Sequence, residues 1–301
     1  MKPRGGTELL ISNLYKYLGT DWQEIVNLVP SFCDPKVLNP KKINIIWQHL
    51  SYDQRNVAMM SNPNFIDKVD GFVYVSNWQL DQFSTRFPIQ AARNYVIKNA
   101  IDSIEYQKKP DGKIRLIYTS MPNRGLSILL DVFDQISSND IELIVYSSNI
   151  IYGKTYTDQS VLQLLHRCEL HPNIIYNGYG TNKAVRRALQ YSHILSYPSI
   201  FEETSCLSAI EAGAAGCAIV TTNLGALPET CGDYASYVDF TEDKTELVNL
   251  YATELLKVID NYKNKRYNTE AISNWFNNEY SWANRAIQWE EFFKIYAKHK
   301  L

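Results

Sequence analysis

Cysteine is scarce in this chain and follows no pattern. Cys33, Cys168, Cys206, Cys217 and Cys231 are odd in number, widely spaced and free of any C-x-x-C pair. That argues against a disulfide framework and a zinc site, and reads as reduced, structural thiols of a cytoplasmic protein. Basic runs are missing too: Lys and Arg number 30 against 32 Asp and Glu, a formal charge of −2. Without a positive surplus to neutralise phosphates, nucleic acid is not a main partner. No apolar run reaches the roughly 20 residues that span a bilayer, and the opening Met-Lys-Pro-Arg-Gly-Gly-Thr-Glu has no apolar segment of the secretory kind. Contact with a membrane surface stays open. There is no D-x-D spacing, internal repeat or low-complexity tract.

What is present is the pattern of an α/β protein. Apolar runs at 43–50, 71–77, 95–102, 114–120, 141–148, 173–179, 193–199 and 217–223 are continuous rather than alternating, as strands of a parallel sheet covered on both faces are. Between them, 125–138, 160–170 and 182–192 carry apolar residues at helical spacing. A length of 301 residues exceeds the size at which one core stops growing. The polar stretch YQKKPDGK at 106–113 lies between two strand-like runs with no helix, and is the expected boundary. The expected division is 1–105, 106–282, and a last helix in 283–301.

Two loops after expected strands carry chemistry. In MPNRGLS, residues 121–127, Arg124 precedes Gly125 and opens a helix whose free N–H groups suit an anion. In IFEETSCLSAIEAG, from residue 200, Glu203 and Glu211 stand eight apart, with Thr204 or Ser205 as the expected N-cap. With a helix start near Ser205, Glu211 lies about 9 Å further along the axis. The 32 acidic residues give about three such spacings by chance, so the surrounding residues must decide.

Those surroundings resemble the group 1 glycosyltransferases of GT-B fold. YPSIFEETSCLSAIEAGAAGCAIVTTNLGALPET, residues 197–230, is similar to that family's donor-site string, with one extra residue before Glu203 and Ala218 in place of a proline. SMPNRGLSILLDVF resembles its diphosphate loop, NAID its N-G-I-D, VSNWQLDQF its S-x6-F segment, GGTE its Gly-rich first loop, and YSWANRAIQWEEFF its closing S-W-x6-W. The strand that relatives place before the Gly-rich loop has no counterpart, since only four residues precede Gly5.

The resemblance implies two Rossmann-like α/β/α domains with parallel sheets facing across a cleft, the N-terminal one shortened. It further implies retaining transfer from a nucleotide sugar to an acceptor, without metal or other cofactor. Glu211 would hold the ribose hydroxyls and Glu203 those of the donor sugar. Arg124 would grip the diphosphate with Gly125 and the helix start at Thr204, Ser205, Cys206 and Leu207. Gly5 and Gly6 would admit it from the first domain, and His49 would border the sugar. Trp282 and Trp289, seven apart, read as packing residues. The base, the oligomeric state and the acceptor, whether glycan, lipid or protein, have no signature in the chain. Two other readings fit the same residues: a sugar-nucleotide-binding scaffold without turnover, and a sugar-nucleotide epimerase of the same fold.

Overall fold

A computed structural model describes residues 6–151, 154–155 and 158–300. The chain forms two compact units. The first takes in the described chain up to Asp102, together with Glu203–Ser205 and the stretch from Glu279 onward. The second holds Ser103–Glu202 and Cys206–Asn278.

In the first unit, helix α1 (Gly6–Leu18) and the single turn α2 (Trp22–Ile25) precede β1 (Val26–Pro30) and β2 (Ile43–Trp47). The turn α3 (Pro63–Ile66), β3 (Gly71–Tyr74), α4 (Asn77–Ser84) and β4 (Asn94–Val96) follow. The four strands lie in chain order and all pair in parallel, with Val26 opposite Ile43, Ile45 opposite Gly71 and Phe72 opposite Asn94. β2 and β3 are buried at every position, the condition their unbroken apolar runs anticipate. The sequence pattern misses β1, and its place explains why. It is an edge strand, half-buried, and ends in Pro30, a residue that sheets tolerate only where no ladder donor is needed.

The second unit begins with β5 (Ile114–Tyr118), α5 (Leu126–Ile136) and β6 (Ile141–Val145), then a short antiparallel pair, β7 (Ile150–Ile151) and β8 (Lys154–Thr155). Next come α6 (Gln159–Leu170), β9 (Ile174–Tyr176), α7 (Asn182–Tyr191), β10 (Ile194–Tyr197), α8 (Leu207–Ala214) and β11 (Ala218–Thr222). The turn α9 (Leu227–Cys231), β12 (Ala235–Val238), α10 (Lys244–Lys263) and α11 (Thr269–Glu279) complete it. Six parallel strands take the order β12-β11-β10-β5-β6-β9. The chain runs outward from β5 to β9, then returns to the other side of β5 with β10. That reversal is a topological switch point, the place where open α/β sheets leave a crevice at the carboxyl ends of their strands.

The last helix, α12 (Trp282–Lys300), groups with the first unit. Its Trp289 meets Trp47 edge-on at 4.8 Å, and its Phe292 meets Tyr95 at the same distance. Trp282 and Trp289 are buried, so their spacing serves packing. Among the described residues no helix is long and apolar enough to cross a membrane.

A buried lysine braces the second unit. Lys109 Nζ donates to the carbonyls of Leu189 (2.9 Å), Gln190 (3.2 Å) and Ala215 (2.7 Å). These are the C-terminal ends of α7 and α8, where carbonyls lack helical partners and the dipole favours a cation. Nearby, His193 Nδ1 accepts from the Arg115 N–H at 2.9 Å, which leaves Nε2 as the protonated nitrogen, donating to Pro110 O at 3.0 Å. The ring is therefore neutral and fully engaged, and burial lowers its pKa.

Candidate functional site

The loops after β5 and β10 flank the switch point, and specific bonds sew them together. After β5 the chain makes a 3-10 turn over Pro122–Arg124 and reaches Gly125 with φ +122°. A Cβ built on Gly125 would lie 2.0 Å from the Pro198 carbonyl oxygen. Only glycine combines that dihedral with that approach. Ser208, in the first turn of α8, donates from Oγ to Thr119 O at 2.8 Å. Arg124 is half-buried, and its guanidinium carbon stands 4.3 Å from the centre of the Phe201 ring. An aromatic face attracts a cation, so the loop after β10 orients the cation of the loop after β5.

The two helix starts at this place lack a side-chain cap, as the single turns α2 and α9 also do, whereas several longer helices have one. Ser76, Asp158, Thr181 and Asp243 cap α4, α6, α7 and α10 with side-chain acceptors. Gly125 at α5 and Cys206 at α8 supply none. Two helix N-termini beside the switch point thus keep N–H groups that no N-cap side chain occupies, together with their positive dipole ends.

The structure corrects the expected cap of α8. The helix starts at Leu207 behind Cys206, and neither Thr204 nor Ser205 caps it. Thr204 is committed elsewhere: its hydroxyl donates to the His49 carbonyl at 3.0 Å, within the first unit. Glu211 consequently sits only about 6 Å along the axis from the first helical residue.

Glu203 is a buried carboxylate, 5% exposed, four positions before the first residue of α8. Glu211 lies in the second turn of α8. Asn182 Nδ2 donates to its Oε1 at 3.2 Å, and Arg186 Nε stands 3.6 Å from the same oxygen. Both partners are on α7, four residues apart, hence on one helix face. His49 follows β2, half-buried, with its ring 4.6 Å from that of Trp47. Its Nε2 is shut from solvent with no hydrogen-bond partner among the described residues. Burial pushes its pKa down to about 3, so the imidazole is neutral at physiological pH.

The structure therefore gathers Arg124, Gly125, Cys206, Leu207 and Glu211 around one sheet's switch point. Glu203, Thr204 and Ser205 group with the unit that carries His49. Gly6 opens α1, and Gly5 lies outside the described residues. Asn182, Arg186 and Phe201 escape the sequence reading. An i, i+4 pair on a helix is visible in the chain, but its bond to a carboxylate 29 residues away is not.

Comparisons with known proteins identify the family and the fold. The family model "Glycosyl transferases group 1" matches residues 101–272, more than half of the chain, and the chain belongs to that family. It is a glycosyltransferase. None of the curated proteins matches it in sequence. Sucrose-phosphate synthase from Thermosynechococcus elongatus superposes with a TM-score of 0.73 at 14% identity, over 99% of this chain and 81% of that one. Anabaena HepE in complex with UDP and glucose gives 0.70 at 15%, over 97% and 84%. The pneumococcal O-GlcNAc transferase GtfA, in complex with UDP and GlcNAc, gives 0.69 at 13%, over 97% of this chain and 60% of that one. Likeness at these identities establishes the GT-B fold.

Proposed function

We propose that this chain transfers a sugar from a nucleotide sugar, UDP-linked as the ligands of HepE and GtfA suggest, to an acceptor, with retained anomeric configuration and without a metal. One observation carries the proposal: Arg124 and two helix N-termini without side-chain caps share a single switch point, α8 bearing Glu211 with Glu203 just ahead of it. A diphosphate needs that set of donors and positive dipole ends.

In this reading Glu211 takes the ribose diol and Glu203 the hydroxyls of the donor sugar, each carboxylate offering paired acceptor oxygens. As the glycosidic C–O bond breaks, negative charge grows on the departing diphosphate. Arg124 and the N–H groups at the starts of α5 and α8 stabilise it, preorganised and partly screened from water. The leaving phosphate takes the acceptor's proton on the same face that the acceptor attacks. His49, uncharged at neutral pH, borders the sugar in this reading as a neutral ring rather than as a cation.

The test is calorimetry with UDP, GDP and ADP, followed by turnover of UDP-glucose and UDP-GlcNAc. UDP binding, together with donor hydrolysis or transfer that Glu203→Ala lowers about a hundredfold, is the expected result. Binding without turnover would make the chain a scaffold, isomerised donor without acceptor an epimerase, and no nucleotide binding would end the proposal.

A further inference from the structure

The acidic pair that suggests a donor site comes with a basic partner that its motif does not contain. Glu211 shares its Oε1 with Asn182 Nδ2 at 3.2 Å and Arg186 Nε at 3.6 Å. Both Arg186 and Glu211 are largely buried, with side chains 20% and 16% exposed. Desolvation strengthens such a pair and penalises breaking it. Arg186 is itself anchored, its Nη2 donating to the Ser103 carbonyl at 3.2 Å. Gln190, one turn further along α7, donates to Glu105 O at 2.9 Å. The two helices are also locked together at their C-terminal ends by Lys109. An exposed ion pair swings between rotamers and contributes little. This one is tied at three points: to the carboxylate, to the backbone at Ser103, and through the helix to Lys109.

We propose that Arg186, with Asn182, is a positioning residue for Glu211. The pair fixes the carboxylate's rotamer, so that its acceptor oxygens are already placed for a ribose diol before nucleotide arrives. The proposal rests on the reading of Glu211 as the ribose-binding acid. Preorganisation lowers the ordering cost of binding, so its loss appears where ribose is recognised and not in the contacts of the base or diphosphate.

The deciding measurement is the ratio of calorimetric dissociation constants for 2′-deoxy-UDP and UDP on the full chain, with thermal unfolding alongside. For the unaltered protein we expect about a tenfold preference for UDP, the scale of one hydrogen bond to a charged group. Glu211→Gln reduces the ratio to about two or less. Arg186→Met, which keeps an apolar stem and removes the guanidinium, brings it to about threefold, while UDP itself binds up to tenfold more weakly. Asn182→Ala has a smaller effect in the same direction. If Arg186→Met does not fold, Arg186→Lys, which keeps the charge but loses the planar guanidinium anchored at the Ser103 carbonyl, gives an intermediate ratio. A ratio unchanged by Arg186→Met, or by Arg186→Lys in its place, while Glu211→Gln collapses it overturns the positioning role and leaves the donor site standing. A ratio unchanged by Glu211→Gln overturns both.

Discussion

The two parallel sheets of this protein are built alike and differ in one respect that matters. The first runs β1-β2-β3-β4 in chain order, every crossover moving the same way. The second reverses between β5 and β10. Where crossovers all move one way, the loops at the strands' carboxyl ends are covered in turn by the next crossover. Where direction reverses, two adjacent loops diverge and leave a crevice. Arg124, Gly125 and the starts of α5 and α8 all lie at the reversal. Two similar sheets thus teach that strand order, more than strand chemistry, places a binding site.

The strongest way to break this comparison is to separate the two loops at the reversal. Gly125→Ala drives a methyl group into the Pro198 carbonyl at 2.0 Å and strains a φ of +122°. We expect a loss of about 4 kcal/mol or more in urea unfolding. Gly19→Ala in the first unit has a comparable positive φ and open space around it, and should cost only about 1 kcal/mol. Equal costs would show that the close approach of the loops is unimportant.

Next in size is Lys109→Met, which leaves three carbonyls at the ends of α7 and α8 without their donor. The expected cost is about 3 kcal/mol, detected as earlier unfolding of the second unit by hydrogen exchange, with the first unit's amides unaffected.

Glu203→Ala should lower turnover about a hundredfold, equivalent to about 2.7 kcal/mol of barrier, while UDP affinity changes little. Loss of UDP binding in that variant would move Glu203 from the sugar to the nucleotide.

Acid should weaken both units through their buried histidines. His49 and His193 are held neutral, with pKa values below the ordinary 6.5, so the unfolded chain takes up protons that the folded one refuses. Their contribution is complete above about pH 6.5 and is lost as pH falls, for His49 down to about 3. The slope reaches about 1.4 kcal/mol per pH unit for each ring. Denaturant midpoints at pH 7 and pH 5, compared with His193→Asn, measure the second unit's share. A variant with the same pH dependence as the parent would refute it.

The smallest effect is expected from Phe201→Ala, which removes the ring beneath Arg124. A cation–π contact of about 0.5–1 kcal/mol predicts UDP binding two- to fivefold weaker, with folding stability nearly unchanged.

Much of this was legible from residues alone, and what was not shares a physical cause. β2, β3, β10 and β11 are buried along their whole length and read as unbroken apolar runs. β1 and β12 are edge strands with mixed burial, and their sequences, VNLVP and ASYV, carry neither a clear run nor a clear alternation. Arg124, Glu203 and Glu211 stand out through their neighbours in the chain. Thr204 misleads because an N-cap is a local expectation, and a carbonyl 155 residues away claims its hydroxyl. Arg186, Asn182 and Phe201 have no local signature, since each acts across a packing interface between elements.

By itself, then, the sequence determined the α/β class, the central strands and the loops that carry the charged groups, because burial on both faces and turn chemistry are written locally. Only the tertiary structure decided which loops become neighbours, which helices begin uncapped and which guanidinium holds Glu211. Those facts depend on the order in which parallel strands assemble, and that order is set by packing between segments far apart in the chain.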